Sequence, residues 1–191
     1  LFPYTTLFRS KKITNTSLII IWRNSKTGEH KYLIQKRSNK VRSGKNKLAF
    51  CGGMLEDSDI NLQYGALREL IEESQIQFKK KKNLSEKTLK GLQKYVFPLA
   101  IKQTNFTFYM IIVSHKQPKF FGPIDHGSIK PFLKSTREVD LDDNKWNDKA
   151  LKGKIKNGHA FLTKKEILRH YNKKPEIWRY SKMSIRDIFP I

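Results

Sequence analysis

An α/β domain built on a mixed β-sheet is predicted by three features. There is an early pair of β-branched and aromatic runs joined by a turn, a second pair of alternating runs near mid-chain, and between the pairs a helix-period stripe behind two glycines. Ser17 to Trp22 and Tyr32 to Gln35 form the first pair, and the turn-rich NSKTGEH between them reads as a hairpin. Leu48 to Phe50 is a third short strand running into Gly52 and Gly53. Asp59 offers an N-cap, and Ile60, Tyr64, Leu67, Leu70 and Ile71 mark an apolar stripe at helical period. Tyr95 to Ile101 and Phe106 to Ser114 alternate as paired strands that complete the sheet.

The connecting segments carry weaker signals. Lys79 to Lys82 reads as a solvated loop or as a patch that steers an anion, and Leu84 to Leu92 as a short surface helix. His115 to Thr136, rich in Pro and Gly with Phe120, Phe121 and Phe132 interleaved, is either a crossover packed on the sheet edge or a substrate-facing flap. Thr163 with Glu166 three residues on is a capping-box signature for a helix to about Tyr171, and Met183 to Ile188 suits a last turn or two.

The first ten residues, LFPYTTLFRS, resemble the translation of a common sequencing-adapter oligonucleotide and are set aside, so the natural start is expected to be missing. The other 181 residues (191 − 10) suit one domain over 11–191. The formal charge is +22, or +21 without Arg9, and most of the excess is lysine. A field of that sign attracts nucleic acid, nucleotides or phosphorylated cofactors, although lysine codons of an A+T-rich genome on a solvated surface produce the same count.

Cys51 is the sole cysteine, so no internal disulfide can form, and its reading is packing in a reducing compartment. No apolar run approaches the ~20 residues that a membrane span needs; the longest, Leu18 to Trp22, is strand-sized. A cytoplasmic monomer or homodimer with no membrane association is the expectation.

Glu69, Glu72 and Glu73 fall at helical spacings of three and four. At about 100° per residue they project from one face of a helix and repel one another unless a divalent cation lies between them. With the apolar stripe assigned to the core, that face is expected roughly opposite the core. Gly52 and Gly53 permit a tight turn and close ligand approach beside it. None of the five histidines has metal-ligand or triad spacing.

Two glycines, an acidic turn and RELIEE together resemble the Nudix box, GX5EX7REUXEEXGU, with Gly53, Arg68, Glu69, Leu70, Glu72 and Glu73 in their places. Asp59 replaces the first Glu, eight residues separate it from Arg68, and Ser74 and Gln75 replace the usual XG. The glycine-to-arginine offset of 15 (68 − 53) resembles that of the coenzyme A pyrophosphatase branch. Upstream, LIQKRSNKVRSGKNKLAFCGG is similar to that branch's LLTxRSxxLRxxxGxVxFPGG, through Arg37, Ser38, Arg42, Phe50, Gly52 and Gly53. Asn46 and Cys51 depart from it. RELIEES also looks like the helix of viral messenger-RNA decapping members. The resemblance covers Ile13 to Trp146.

The resemblance implies a Nudix α/β/α sandwich that hydrolyses a pyrophosphate bond in a nucleoside diphosphate derivative, with coenzyme A or an acyl-CoA as first choice of substrate. Cap hydrolysis on RNA, or a catalytically silent domain that binds nucleotide or RNA, are the alternatives. Mg²⁺ or Mn²⁺ would be held by Glu69, Glu72, Glu73 and the Gly53 carbonyl, consistent with the preference of Mg²⁺ for oxygen ligands. Glu69 is the first choice of general base and Glu138 the second. Arg68 is expected to pair with Asp59 or Glu72, fixing loop against helix. Arg37 and Arg42 are either surface arginines or contacts to the substrate's phosphates, and Gly52 adjoins the substrate.

Overall fold

The computed structural model describes residues 15–24, 26–74, 90–99, 106–114, 151, 153–155, 158–180 and 185–188. Their strands are β1 (Asn15–Arg23), β2 (His30–Lys36), β3 (Leu48–Ala49), β4 (Cys51–Met54), β5 (Phe97–Leu99), β6 (Phe106–Ser114) and β7 (His159–Thr163). The helices are α1 (Leu62–Ser74), α2 (Lys164–Lys173) and the single turn α3 (Ile185–Ile188). Short 3₁₀ turns lie at Gln93–Tyr95 and Pro175–Ile177.

The seven strands form one mixed sheet. β1 runs parallel to β6 along its whole length, from Asn15 opposite Phe106 to Arg23 opposite Ser114. Its other edge is shared: the C-terminal end pairs with β2, and Asn15 to Leu18 pair antiparallel with β4. β7 lies along the far edge of β2, and β3 pairs with Gln35 and Lys36 on the edge that β2 shares with β1. This division of one strand edge places the glycines of β4 beside Thr16 and Ser17, in the interior of the sheet.

Alternation along β1 assigns the two faces, because successive side chains of a strand point in opposite directions. Leu18 and Ile20 pack with Leu33, Cys51, Tyr109 and the Ala66, Leu67 and Leu70 stripe of α1. Ile19 and Ile21 pack on the other side with Ile34, Phe50, Phe108, Ile167 of α2, Trp178 and Ile185 of α3. Helical elements thus cover both faces of an α/β fold.

Several local expectations are corrected. Asn61, not Asp59, caps α1: its side-chain carbonyl accepts the Tyr64 amide at 2.8 Å, while Asp59 is engaged with the Glu56 amide and Arg68. Ile60 therefore precedes the helix and is 53% exposed, and the buried stripe instead gains Ala66. The strand expected over Tyr95 to Ile101 begins at Phe97, because Gln93–Tyr95 turn as a 3₁₀ helix. Strand β7 was not anticipated. The capping box is present, Thr163 Oγ1 accepting from the Glu166 amide and Glu166 from the Thr163 amide, and its helix runs to Lys173. The lysine run, the flap segment and Glu138 lie outside the described residues.

Candidate active site

The site lies where α1 runs alongside β4 and β1. Gly52 has φ +154°, and a Cβ on it would collide with the Ser17 hydroxyl and the Thr16 carbonyl. Only glycine lets β4 approach β1 this closely. Gly53 has a different reason: a Cβ there would lie 2.5 Å from both carboxylate oxygens of Glu69.

The three glutamates do not share a solvent face as expected from the sequence. Glu73 is buried, and its Oε2 accepts hydrogen bonds from the Gly52 amide at 2.8 Å and from Gln35 Nε2 at 2.9 Å. The Glu69 side chain retains 14% of its exposure and Glu72 48%, so the set grades from interior to solvent across the helix. The apolar stripe and Glu73 are neighbours on one helix surface, because β4 offers its amide there as a polar partner within the core.

Burial dominates the titration of all three. It pushes Glu73 up to about 8, helped by the negative charge of Glu69 and opposed by the Gly52 amide, the Arg37 charge and Gln35. It pushes Glu69 up to about 7, against the neighbouring Arg68. Glu72 is raised for the same reason. The Cys51 thiol is also raised by burial, as suits a packing residue.

Arg68 ties the loop to the helix. Its Nε and NH2 form a fork on the two oxygens of Asp59, each at 2.9 Å, and NH2 also donates to the Met54 carbonyl at 3.0 Å. NH1 lies 3.1 Å from Glu69 Oε1 and 3.0 Å from Glu72 Oε2. The guanidinium thus joins the loop carboxylate expected of it and lies between the two outer glutamates. Burial alone would raise Asp59, but the Arg68 fork and the Glu56 amide outweigh it and hold that carboxyl below its ordinary value.

Arg37 is not a surface residue: its side chain keeps 7% of its exposure, with NH1 3.9 Å from Glu73 Oε1 and Nε donating to the Ser43 carbonyl at 3.4 Å. Arg42 is exposed. By sequence Gln35 is only the end of a strand, yet a glutamine buried within the apolar run of β2 is itself a signal that a polar partner lies opposite. Among the described residues no three His, Cys, Asp or Glu side chains converge as a metal cluster. Arg68 stands beside Glu69 and Glu72, and Glu73 turns toward Gly52. No helix among the described residues is long and apolar enough to cross a membrane.

The fold is similar to that of T. brucei MERS1. The MERS1–RNA complex shares 15% identity at a TM-score of 0.55, covering 87% of this chain and 55% of that one. The MERS1–GDP complex gives 16%, 0.56, 87% and 53%, and the apo form 15%, 0.54, 82% and 59%. The chain therefore spans little more than half the length of those structures, and at such identities the likeness is one of fold. No curated protein sequence matches the chain significantly. The family profile described as NUDIX domain matches residues 14–158 and takes in the Gly52–Gly53 corner with the whole of α1; the chain belongs to the Nudix domain family.

Proposed function

We propose that this chain, a single Nudix domain over 11–191, is a Mg²⁺- or Mn²⁺-dependent pyrophosphohydrolase acting on a nucleoside diphosphate derivative, with coenzyme A or an acyl-CoA as first substrate. One observation carries the reading: Glu69, Glu72 and Glu73 stand on one helix at a corner of β4, where a side chain on Gly53 would take the place of the Glu69 carboxylate. The donor atoms suit the cation in kind, while Arg68 stands beside Glu69 and Glu72, and Glu73 turns one oxygen toward Gly52. All the donors are oxygens, and burial holds two of the carboxylates near or above neutrality, a cost that a divalent cation would offset.

Glu69, Glu72, the Oε1 of Glu73 and the Gly53 carbonyl would hold the metal, which when bound neutralises phosphoryl oxygens. The chain's own residues do the rest. Water adds to one phosphorus, the bridging P–O bond breaks, and the water proton passes to a general base, Glu69 as first choice and Glu138 as second. Arg68 positions the glutamates through its fork on Asp59, and Arg37 holds Glu73. Exposed Arg42 is available to the substrate's phosphates, and Gly52 keeps the corner bare. With coenzyme A the products are 3′,5′-ADP and a 4′-phosphopantetheine.

Incubation with a mixed pool of coenzyme A, capped RNA, NADH, ADP-ribose and diadenosine polyphosphates, read by mass spectrometry, identifies the substrate. Glu72→Gln and Glu73→Gln should each abolish turnover, and full activity in either refutes the assignment. The charge of +22 supports a second reading, hydrolysis of an RNA cap or RNA binding without turnover. Cleavage of long capped RNA should then weaken steeply between low and physiological salt, whereas coenzyme A turnover should change far less.

A further inference from the structure

We infer that Gln35 is a positioning residue for the metal site: its side-chain amide fixes Glu73 so that one carboxylate oxygen is committed to the protein and the other is presented to the cation. The inference rests on the metal-dependent reading above.

Gln35 is fully buried on β2, three residues beyond Tyr32 where that strand's buried run starts, and no solvent competes for its amide. Its Nε2 donates to Glu73 Oε2 at 2.9 Å and to the Phe50 carbonyl at 3.4 Å, and its Oε1 accepts from the Cys51 thiol at 3.6 Å. With Glu73 ionised, the form that binds a cation, the amide can point only one way. Turned over, its oxygen would face the carboxylate and the Phe50 carbonyl, two acceptors, and its nitrogen would face the thiol. Strand packing therefore dictates the direction in which a donor meets Glu73.

The Gly52 amide donates to the same oxygen, Oε2, at 2.8 Å. Two donors on one oxygen occupy the ordinary lone-pair directions there and fix the carboxylate plane. The remaining oxygen, Oε1, faces the Arg37 guanidinium at 3.9 Å, longer than a hydrogen bond. A carboxylate divided in this way is oriented before a cation arrives. Partners of this kind behind a ligating group commonly change metal affinity by about 10- to 100-fold.

The test uses the full chain. Gln35→Met keeps length and apolar volume but removes the donor. Its Mn²⁺ affinity, measured by calorimetry, should fall at least about tenfold while its circular dichroism remains that of the parent. In the unmodified protein, the ¹⁵N-edited side-chain amide signals of Gln35 should shift on Mg²⁺ addition, and this shift should vanish in Glu73→Gln. Parent-like Mn²⁺ affinity in Gln35→Met overturns the inference, as does a Gln35 amide that ignores Mg²⁺ in a protein that binds it. If Gln35→Met does not fold, the amide signal decides alone. If the parent takes up neither cation, the metal-dependent reading itself fails, a result distinct from either of those.

Discussion

Both carboxylate oxygens of Glu69 lie 2.5 Å from the place where a Cβ of Gly53 would stand, whereas a Cβ on Gly52 would meet the backbone of β1. The two glycines therefore fail differently. In Gly53→Ala the obstructing atoms end a flexible side chain, which can swing away at little cost to folding. Its melting temperature should stay within a few degrees of the parent, while Mn²⁺ affinity and turnover fall about tenfold or more. In Gly52→Ala neither the backbone neighbours nor the φ of +154° can adapt, and the expected loss is about 1–3 kcal/mol by denaturant titration. Equal destabilisation by the two substitutions would contradict the distinction.

Arg68 is the one cation that touches Asp59, Glu69 and Glu72 together among the described residues. Arg68→Met leaves the Asp59 carboxylate, whose side chain is 2% exposed, without its fork. Losing one partner of a buried pair costs about 3 kcal/mol, and urea unfolding should show it. Arg68→Lys restores a charge but not two parallel hydrogen bonds, so it should recover only part of the loss. Full recovery by lysine would mean that charge alone, not the fork, joins loop and helix.

The sheet, the box helix and the capping box of α2 were legible because each has a local cause: β-branched runs, an apolar period and a Thr163–Glu166 reciprocal cap. That Gly52, Gly53, Arg68, Glu69 and Glu73 meet at one α1–β4 corner was legible in part from their spacing, but their arrangement there was not. Burial of Glu73 depends on Gly52 presenting an amide across the α1–β4 contact, and burial of Arg37 on the Ser43 carbonyl and Glu73, pairings that no spacing encodes. Strand β7 carries little sequence signal because its five residues, HAFLT, are too few to establish an alternation, and its place beside β2 is a tertiary fact.

Trp178 shows how far the core reaches beyond the family match, which ends at residue 158. It is fully buried, packs with Ile167, Phe50 and Tyr180 in one cluster, and donates from Nε1 to His170 Nδ1 at 3.2 Å. Trp178→Ala should cost about 3–5 kcal/mol, and Trp178→Phe, which forgoes the hydrogen bond but keeps most of the apolar area, about 1–2 kcal/mol. Chemical denaturation of both variants measures the difference. A Trp178→Ala protein as stable as the parent would remove the C-terminal segment from the core.

Stability should depend on pH in two windows with opposite signs. Glu69 and Glu73 are raised by burial from an ordinary 4.5 to about 7 and about 8, so between about pH 4.5 and pH 8 the folded chain binds more protons than the unfolded one. Their contribution is fully present below 4.5 and is lost as pH rises through the folded values. Asp59 is lowered from 3.8, so its contribution is present above that value and is lost as acid titrates the folded carboxyl. In EDTA the melting temperature should fall as pH rises from about 5 to about 8.5, and Glu73→Gln should flatten the upper part of that decline. Mg²⁺ should raise the melting temperature more at the alkaline end, because the carboxylates must be deprotonated to bind it. A melting temperature in EDTA that climbs across this range, or a Mg²⁺ effect largest at pH 5, would show that the buried glutamates are not the groups that link proton, metal and fold.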